Sequence, residues 1–335
     1  MKNKTIKVVT EGGKKFGFGH ITRSLSIVSA FEKYGFSNSF IIDGDDSVKD
    51  MLKQTNYKIY DYKNQTNQLI KDISDADLVL IDAINISDGL IKQIEDSSLY
   101  TIFIDDEKRR NILDRGFVID WTILCDKKEY FKPFKKDVTY ILGTNYTPLR
   151  REFYQAKPNS IRDDINSIMV SFGGSDVRGL TLKVLQSLKE HFPNTIKNIV
   201  VGGGYEKLEK LKDYKDNFTN IFFNVNATDM IKIMQNSDIA IASGGQTLYE
   251  LAKIGTPTIS ILLVDNAIED TKGWDIVGFA KNIGKWNDTH LLENMIKNIK
   301  NLKDKNIRID MHKKGLKYMG GNGVDKLVKK ILEKL

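Results

Sequence analysis

Short runs of β-branched and other apolar residues recur along the chain, and an amphipathic stretch follows most of them. The runs are IKVVT, SFIID, LVLIDA and TIFIDD in the first half, and SIMVSFGG, NIVVGGG, NIFFNV, DIAIASGG and PTISILL in the second. Helix-like segments such as LTLKVLQSLKEHF and ATDMIKIMQNS lie between them. Continuous apolar strands that alternate with helices are typical of parallel sheets built from βαβ units. The pattern therefore predicts an α/β fold.

The two halves of the chain begin with a similar pattern. IKVVTEGGKKFGFGH and SIMVSFGGSDVRG each combine a strand, a glycine-rich turn and the start of a helix. Segment 151–164 is polar, contains Pro158 and lacks apolar periodicity, as is typical of a linker. We predict two doubly wound, Rossmann-like domains, residues 1–155 and 156–335, that face each other across a ligand-binding cleft. We expect the helix in GNGVDKLVKKILEKL to pack back on the first domain.

Length and composition restrict the class of protein. A chain of 335 residues fits two domains, and its 51 basic and 44 acidic side chains give a net charge of +7. The charge is spread along the chain, whereas nucleic-acid-binding proteins concentrate it in one stripe, so we expect no nucleic-acid partner. Cys125, the single cysteine, is expected to be a buried thiol in a reducing compartment. No signal peptide or membrane span is evident, which predicts a cytoplasmic protein and leaves contact with a membrane surface open.

The first glycine-rich turn places a histidine at the start of a helix. GFGHIT lacks the third glycine of a dinucleotide fingerprint, because Thr22 stands there, and it lacks the lysine of a phosphate-binding P-loop. What remains is a tight turn at Gly17 and Gly19 that presents His20. The positive end of the helix dipole lowers the pKa of a histidine there, and the neutral imidazole can act as a general base. The alternative is a histidine that caps the helix and faces solvent.

The turn SFGGSD follows a strand of the second half. Gly173 and Gly174 allow the backbone to approach a ligand closely, and Ser175 or Asp176 can cap the following helix. Such a turn suits a pyrophosphate at the positive end of the helix dipole. An ordinary connection between a strand and a helix would explain the same residues, and this alternative stays open.

The segment ASGGQTLYELAKIGTP carries the clearest ligand-binding pattern. Gly244 and Gly245 leave a strand, and Gln246 and Thr247 begin a helix whose first N–H groups are directed at the predicted cleft. Glu250 lies on the first turn of that helix, where a carboxylate can accept hydrogen bonds from both hydroxyls of a ribose. A structural role would explain the glycines but would not require the carboxylate. We therefore predict a nucleotide site.

Together these motifs resemble a known family. GFGHITRSLSI, ILGTNYTPLRREF, VSFGGSDVRGLTLKVLQSL, ASGGQTLYELAKIGTPTI and GGNGVDKLV occur in the order seen in the UDP-2,4-diacetamido-2,4,6-trideoxy-β-L-altropyranose hydrolases of pseudaminic acid biosynthesis. These enzymes are related to the GT-B glycosyltransferases. The resemblance implies a GT-B-like fold, with UDP held in the second domain by the turns at 173–175 and 244–247 and by Glu250. It also implies that His20 activates the attacking water and that Asn266 helps to place the sugar or the water.

The sequence departs from the family pattern at two places. Glu11 stands where the family has an aspartate before the first glycine turn, and we include it among the catalytic candidates. In IDAIN, Ala83 and Ile84 replace the histidine and tyrosine of the family's Asp-His-Tyr pattern. If that tyrosine shapes the sugar site, the protein uses a different sugar, or an alcohol in place of water.

The main hypothesis is therefore hydrolysis of a UDP-sugar, an amino and deoxy sugar, in the biosynthesis of surface polysaccharides or flagellin glycans of the nonulosonic acid type. One alternative is a GT-B glycosyltransferase that moves the sugar to a hydroxyl of a glycan acceptor. A second is a sugar-nucleotide-binding subunit without catalysis. The motifs imply no cofactor and no metal site, although a divalent ion on the phosphates stays open. The acidic pair in IDD, residues 104–106, is interpreted as a loop cap. The sugar, its anomeric stereochemistry and the oligomeric state are not predicted.

Overall fold

The computed structural model describes residues 4–335 and divides into two compact units by internal contacts. The first unit runs to Arg150 and also includes Asn322–Leu335, and the second unit is Arg151–Gly321. The segment that we interpreted as a linker begins with a short helix, α4 (Arg151–Gln155), which belongs to the second unit.

A sheet of seven parallel strands forms the middle of the first unit, in the order β3-β2-β1-β4-β5-β6-β7. The strands are β1 (Lys4–Gly12), β2 (Phe36–Gly44), β3 (Asn56–Ile59), β4 (Leu78–Asp82), β5 (Tyr100–Ile104), β6 (Gly116–Asp120) and β7 (Val138–Leu142). The helices are α1 (Gly19–Glu32), α2 (Thr66–Ile73), α3 (Asp88–Ser97) and α12 (Gly323–Leu332). Three 3-10 turns are Asp46–Leu52, Cys125–Lys127 and Thr144–Tyr146.

The second unit repeats this design with six parallel strands in the order β10-β9-β8-β11-β12-β13. The strands are β8 (Ser167–Ser171), β9 (Ile196–Val201), β10 (Thr219–Phe223), β11 (Ile239–Ser243), β12 (Thr258–Leu262) and β13 (Ala280–Lys285). The helices after α4 are α5 (Leu180–His191), α6 (Leu208–Lys212), α7 (Ala227–Gln235), α8 (Gln246–Ile254), α9 (Ile268–Ile276), α10 (Leu291–Asn301) and α11 (Lys305–Tyr318), with a 3-10 turn at Asp265–Ala267. The structure confirms the predicted α/β fold with two doubly wound sheets.

The central strands form the core of each unit. Every residue of β4, β8, β11 and β12 is buried, as expected for parallel strands with both faces covered. Cys125 is a buried free thiol, as predicted, and burial raises its pKa above the usual range. Among residues 4–335, no helix is both long and apolar enough to cross a membrane.

The strand order of each sheet reverses at one point, between β1 and β4 in the first unit and between β8 and β11 in the second. Ligands of open α/β sheets bind beyond the carboxyl ends of the strands at this switch point, because the loops on its two sides diverge and leave a crevice. The loops that follow β1, β4, β8 and β11 therefore define where a site is expected in each unit. They include the glycine-rich turns found in the sequence.

Candidate functional site

His20 lies in the first turn of α1, directly after a closed loop. The N–H of Gly13 donates to the carbonyl of Gly17 over 2.9 Å, and the N–H of Gly17 donates to the carbonyl of Gly13 over 2.7 Å. Gly17 has a φ of 79°, a left-handed conformation that glycine adopts without steric cost. Gly19 is the first residue of α1. This loop returns the chain from β1 and sets His20 at the switch point of the first unit.

The imidazole of His20 contacts a buried carboxylate. Its Nδ1 lies 2.6 Å from Oδ1 of Asp82, the last residue of β4, which pairs with Thr10 of β1. Asp82 is fully buried and His20 is 8% exposed, so the alternative of a solvent-facing cap is wrong. When Nδ1 donates its hydrogen to Asp82, Nε2 is left as the nitrogen that can accept a proton. This is the arrangement of a histidine oriented as a general base.

Arg23 and Ser24 hold the other positions around Asp82. Arg23 donates from Nε to Oδ2 over 2.8 Å and from Nη2 to Oδ1 over 2.6 Å, and Ser24 Oγ donates to Oδ2 over 3.0 Å. Positions 20, 23 and 24 share one face of α1, since residues three and four apart on a helix are neighbours. A single helix turn thus supplies every side chain that binds this carboxylate in the described residues.

The electrostatics of the pair differ from the expectation. Burial lowers the pKa of His20, but the negative charge of Asp82 and its hydrogen bond raise it more, and the resulting pKa lies above the ordinary 6.5. We had expected the helix dipole to lower this pKa. Burial raises the pKa of Asp82, yet Arg23 and His20 outweigh it and hold that pKa well below its usual range. Asp82 is therefore ionised and stabilises an imidazolium at His20.

The loop after β5 contributes further charges. Arg23 Nη1 donates to Oδ2 of Asp106 over 2.7 Å, and the guanidinium carbon lies 4.8 Å from the ring centre of Trp121. Burial raises the pKa of Asp105 to about 7. Asp105 accepts a hydrogen bond from the N–H of Asn111 over 3.0 Å, as expected for the loop cap predicted in IDD, whereas Asp106 belongs to the His20 cluster through Arg23. A small pocket at this edge of the sheet is lined by His20 and its partners, by Ala83 and Ile84, and by the loop after β5.

Glu11 is a buried carboxylate that contacts the loop after β4. Its carboxylate is 1% exposed and accepts hydrogen bonds from the N–H of Ile84 over 3.1 Å and from Asn85 Nδ2 over 3.0 Å. Lys63 Nζ also lies 3.4 Å from Oε2. These contacts fix the loop after β4, in which Ala83 and Ile84 lie. Glu11 therefore holds that loop in place, and its place among the catalytic candidates stays a prediction.

In the second unit, α8 begins at Gln246, as predicted, with Thr247 as its second residue. Its N-cap is Gly245, which has a φ of 92° and no side chain with which to cap the helix. Gly255 follows the helix as its C-cap in a left-handed conformation. The positive end of the α8 dipole thus follows β11 directly, at the switch point of the second unit.

Gly244 is required for packing. A Cβ atom there would lie 2.5 Å from Thr271 Oγ1 and 2.8 Å from the Cβ of Ala267, too close for any side chain. This close approach brings the 3-10 turn Asp265–Ala267, which contains Asn266, next to the start of α8. Asn266 itself is exposed. The structure therefore brings these two predicted elements together within the second unit.

Glu250 differs from the surface carboxylate that we expected on the first turn of α8. Glu250 is buried, with only 5% of its surface exposed. The carboxylate is thus part of the packed interior of its surroundings, and substitution there affects stability as well as any ligand.

In the SFGGSD turn, Asp176 caps the following helix, one of the two caps that we predicted. α5 begins at Leu180, and the Asp176 carboxylate accepts hydrogen bonds from the N–H groups of Leu180 over 2.9 Å and Thr181 over 2.8 Å. The first amides of α5 are therefore occupied by the protein itself, and they do not fit a diphosphate. Gly173, with a φ of 81°, and Ser175 lie in the preceding turn.

A second glycine-rich loop packs on this turn. The N–H of Gly204 donates to the carbonyl of Gly174 over 3.0 Å, and a Cβ at Gly202 would lie 2.6 Å from the Cα of Gly174. The loop VGGGYEK, residues 201–207, thus supports the SFGGSD turn. The turn from Gly173 to Ser175 remains the part of this motif that a ligand could contact.

Sequence reasoning missed three side chains of the site: Asp82, Arg23 and Asp106. The available signal was an acidic residue at the end of neighbouring strands, in LVLIDA and TIFIDD, together with an arginine one helical turn after the histidine. In residues 4–335, no group of three or more histidine, cysteine, aspartate or glutamate side chains is arranged to hold a metal ion.

The chain is similar to three curated proteins, and no family model matches it. It is 27% identical over 273 residues to the uncharacterized protein MJ1062 of Methanocaldococcus jannaschii, covering 76% of this chain and 54% of that protein. It is 23% identical to the Helicobacter pylori pseudaminic acid cytidylyltransferase and UDP-2,4-diacetamido-2,4,6-trideoxy-β-L-altropyranose hydrolase, covering 84% and 48%. It is 22% identical to the Bacillus subtilis spore coat polysaccharide biosynthesis protein SpsG, covering 95% of each. The chain spans about half the length of the first two relatives.

Solved structures establish the class of fold. MurG from Acinetobacter baumannii superimposes with a TM-score of 0.69 at 16% identity, covering 98% of this chain and 99% of MurG. HepE from Anabaena, in a complex with UDP-glucose, superimposes with a TM-score of 0.61 at 11% identity, covering 98% of this chain and 100% of HepE. The chain has the GT-B fold of nucleotide-sugar glycosyltransferases, and its relatives include proteins of sugar biosynthesis.

Proposed function

We propose that the chain is an enzyme that hydrolyses a UDP-sugar to UDP and the free sugar. The observation that carries this proposal is the pair formed by His20 and Asp82 at the switch point of the first unit. The 2.6 Å contact fixes the imidazole, and the buried, ionised Asp82 stabilises the positive charge that appears when His20 takes a proton.

In the proposed reaction, Nε2 of His20 takes a proton from water while the water oxygen attacks the anomeric carbon of the sugar. The bond between that carbon and the β-phosphate oxygen breaks, and its electron pair leaves with UDP. Asp82 keeps the imidazole oriented throughout. The proton on His20 is later released to solvent, which returns the enzyme to its starting state.

The second unit is proposed to hold UDP. The start of α8, at Gly245, Gln246 and Thr247, would bind the diphosphate, because preorganised amides stabilise the leaving charge without rearrangement. The turn from Gly173 to Ser175 and Glu250 are proposed to complete the nucleotide site, and Asn266 to place the sugar or the water. The relative HepE was crystallised with UDP-glucose, which supports a nucleotide-sugar ligand for this fold.

A glycosyltransferase is the second candidate, and two observations favour it. The structural neighbours include glycosyltransferases, such as CalG4, over the whole chain. In addition, Ala83 and Ile84 stand where the resembled hydrolases have histidine and tyrosine. In this alternative His20 takes its proton from an acceptor hydroxyl instead of water. For either reaction we propose a role in surface polysaccharide biosynthesis, which the name of the B. subtilis relative supports.

One experiment separates the candidates. The purified protein is incubated with a panel of UDP-sugars, with and without an acceptor extract, and UDP release and the sugar product are followed by NMR. Full-rate UDP release without acceptor supports the hydrolase, whereas a strict requirement for acceptor overturns it in favour of the transferase. H20A should still bind UDP but lose turnover by about 10²-fold or more. Unchanged turnover in H20A would rule out His20 as the base.

A further inference from the structure

Arg23 is shared between two carboxylates. Two of its nitrogens bind Asp82, and Nη1 binds Asp106 over 2.7 Å, while Nη2 also lies 3.3 Å from the second oxygen of Asp106. Nη2 lies only 3.2 Å from Nδ1 of His20. The guanidinium side chain is 12% exposed, so these charges interact in a poorly solvated environment. The carboxylates that bind Arg23 therefore also change the electrostatic potential at the imidazole of His20.

The loop that carries Asp106 is tightly fixed. Arg109 and Asn111 both have a φ of 49°, a left-handed conformation that is unfavourable for residues other than glycine. Two side-chain contacts hold them in it: Arg109 Nε donates to the buried Asp120 over 2.9 Å, and the hydroxyl of the partly buried Tyr140 donates to Asn111 Oδ1 over 2.6 Å. Asp106 thus meets Arg23 from a loop whose conformation is determined by several independent contacts.

The charge balance shows what Asp106 contributes. The charged groups around His20 are Arg23 on its own helix, Asp82 on β4, and Asp105, Asp106, Glu107, Lys108 and Arg110 in the loop after β5. Asp82, Asp106 and Arg23 are in direct contact and together carry one negative charge. When His20 takes a proton, its positive charge brings the total charge of His20, Asp82, Asp106 and Arg23 to zero. Without Asp106, the set would be neutral before His20 takes a proton and positive afterwards, so the imidazolium would be less stable.

We propose that Asp106 is a positioning residue for His20 that acts through Arg23: it holds the guanidinium between two carboxylates and leaves the charge of Asp82 available to the imidazolium. Asp106 has no direct contact with His20 in this role. The inference concerns the proton affinity of the proposed base, so its connection to catalysis rests on the proposed function. The effect of Asp106 on the pKa of His20 does not depend on the proposed function.

The test is an NMR titration of the full-length protein without substrate. The Cε1–H signal of His20 is assigned by its loss in H20Q and followed with pH. D106N should lower the pKa of His20 by roughly one unit, the scale expected when a nearby charge is removed. D106E, which keeps the carboxylate, should restore most of the wild-type value. D88N is the matched control, because Asp88 binds Arg110 at 3.0 Å rather than Arg23, and it should leave the titration unchanged.

The outcomes distinguish this inference from the proposed function. A wild-type titration in folded D106N, or an equal shift in D88N, overturns the role of Asp106. If D106N does not fold, as judged by circular dichroism, D106E decides: it should titrate like the wild type, and a lowered pKa in that variant would contradict the charge argument. If the titration shifts as expected but no UDP-sugar is turned over, the proposed function fails and the positioning role stands. If turnover depends on His20 but the titration is unchanged, the positioning role alone fails.

Discussion

The Nδ1 atom of His20 lies 2.6 Å from Oδ1 of Asp82, although 62 positions separate the two residues in the chain. The contact exists because β4 pairs with β1 on the side opposite β2, so that the end of β4 lies beside the start of α1. Four hydrogen-bond donors on one helix turn converge on that single carboxylate. The pair is therefore built into the switch point of the sheet rather than assembled by a mobile loop.

The first prediction concerns D82N and pH. In the wild type, kcat/KM should increase with pH through a value above 6.5, because the base must be deprotonated and Asp82 raises the pKa of His20. In D82N we expect kcat/KM to fall by roughly 10²- to 10⁴-fold, since the imidazole loses its orienting partner. The remaining activity should rise at lower pH than in the wild type, because the loss of Asp82 removes the largest influence that opposes the lowering of the His20 pKa by burial. A D82N profile that coincides with that of the wild type would contradict the assignment.

The second prediction concerns Glu250. E250Q keeps the shape of the buried side chain but removes its charge, and we expect it to bind UDP about tenfold more weakly or worse, the scale of a hydrogen bond to a charged group. Calorimetric titration with UDP measures this. UMP lacks only the β-phosphate and keeps the ribose, so the same loss is expected for UMP. Equal affinity of E250Q and wild type for both nucleotides would exclude the ribose role.

A third prediction tests the N-cap of α8. At φ 92°, alanine at position 245 is strained, so G245A should reduce the free energy of unfolding by more than about 1 kcal/mol. It should also weaken UDP binding, because the first turn of α8 must shift. The comparison variant is G89A, since Gly89 lies within α3 with open space around its Cα. Alanine favours a helix interior, so G89A should leave UDP affinity unchanged and should not lower stability. Equal effects of the two substitutions would argue against this account of Gly245.

The fourth prediction uses the buried acid Asp105. Its pKa is about 7 in the folded protein, against an ordinary value of 3.8, because burial disfavours the charge. Between pH 3.8 and pH 7, Asp105 is protonated in the folded protein but ionised in the unfolded chain. The free energy of unfolding of the wild type therefore falls by about 1.4 kcal/mol for each pH unit of increase. D105N cannot ionise. Its free energy of unfolding, relative to the wild type, should therefore increase by roughly 2–3 kcal/mol between pH 5 and pH 8. Urea unfolding at both pH values measures this, and a pH-independent difference would disprove it.

The nine apolar runs identified in the sequence all correspond to strands, but the sheets contain four more: β3, β6, β7 and β13. Three of these lie at sheet edges, where one side is solvated and the apolar pattern is weak; β3 has no fully buried residue. β6 is buried, but a loop rather than a helix precedes it, so the strand–helix alternation that marks the other strands is missing. Local pattern thus predicted the centre of each sheet better than its margins.

The candidate site divides in the same way. Features that depend on local backbone conformation, such as the turn at Gly17 and the start of α8 after Gly245, could be predicted from the sequence. Partners that depend on strand order, such as Asp82, could not, because nothing near His20 in the chain specifies which strand lies beside it. The predicted direction of the His20 pKa shift was wrong for this reason. The sequence showed the helix N-terminus, which lowers the pKa, but not the carboxylate of Asp82, which raises it.

The helix α12 packs on α1 and on the turn Thr144–Tyr146 of the first unit, and its Leu327, Val328 and Ile331 are fully buried. During translation the ribosome makes the chain as far as Arg150 first, then the entire second unit, and only afterwards this helix. Domains generally begin to fold as they emerge from the ribosome. The first unit, which carries His20, therefore keeps an uncovered apolar surface until the second unit has been synthesised. The first unit, with the proposed base, therefore completes its folding only after the unit proposed to hold the substrate has been made.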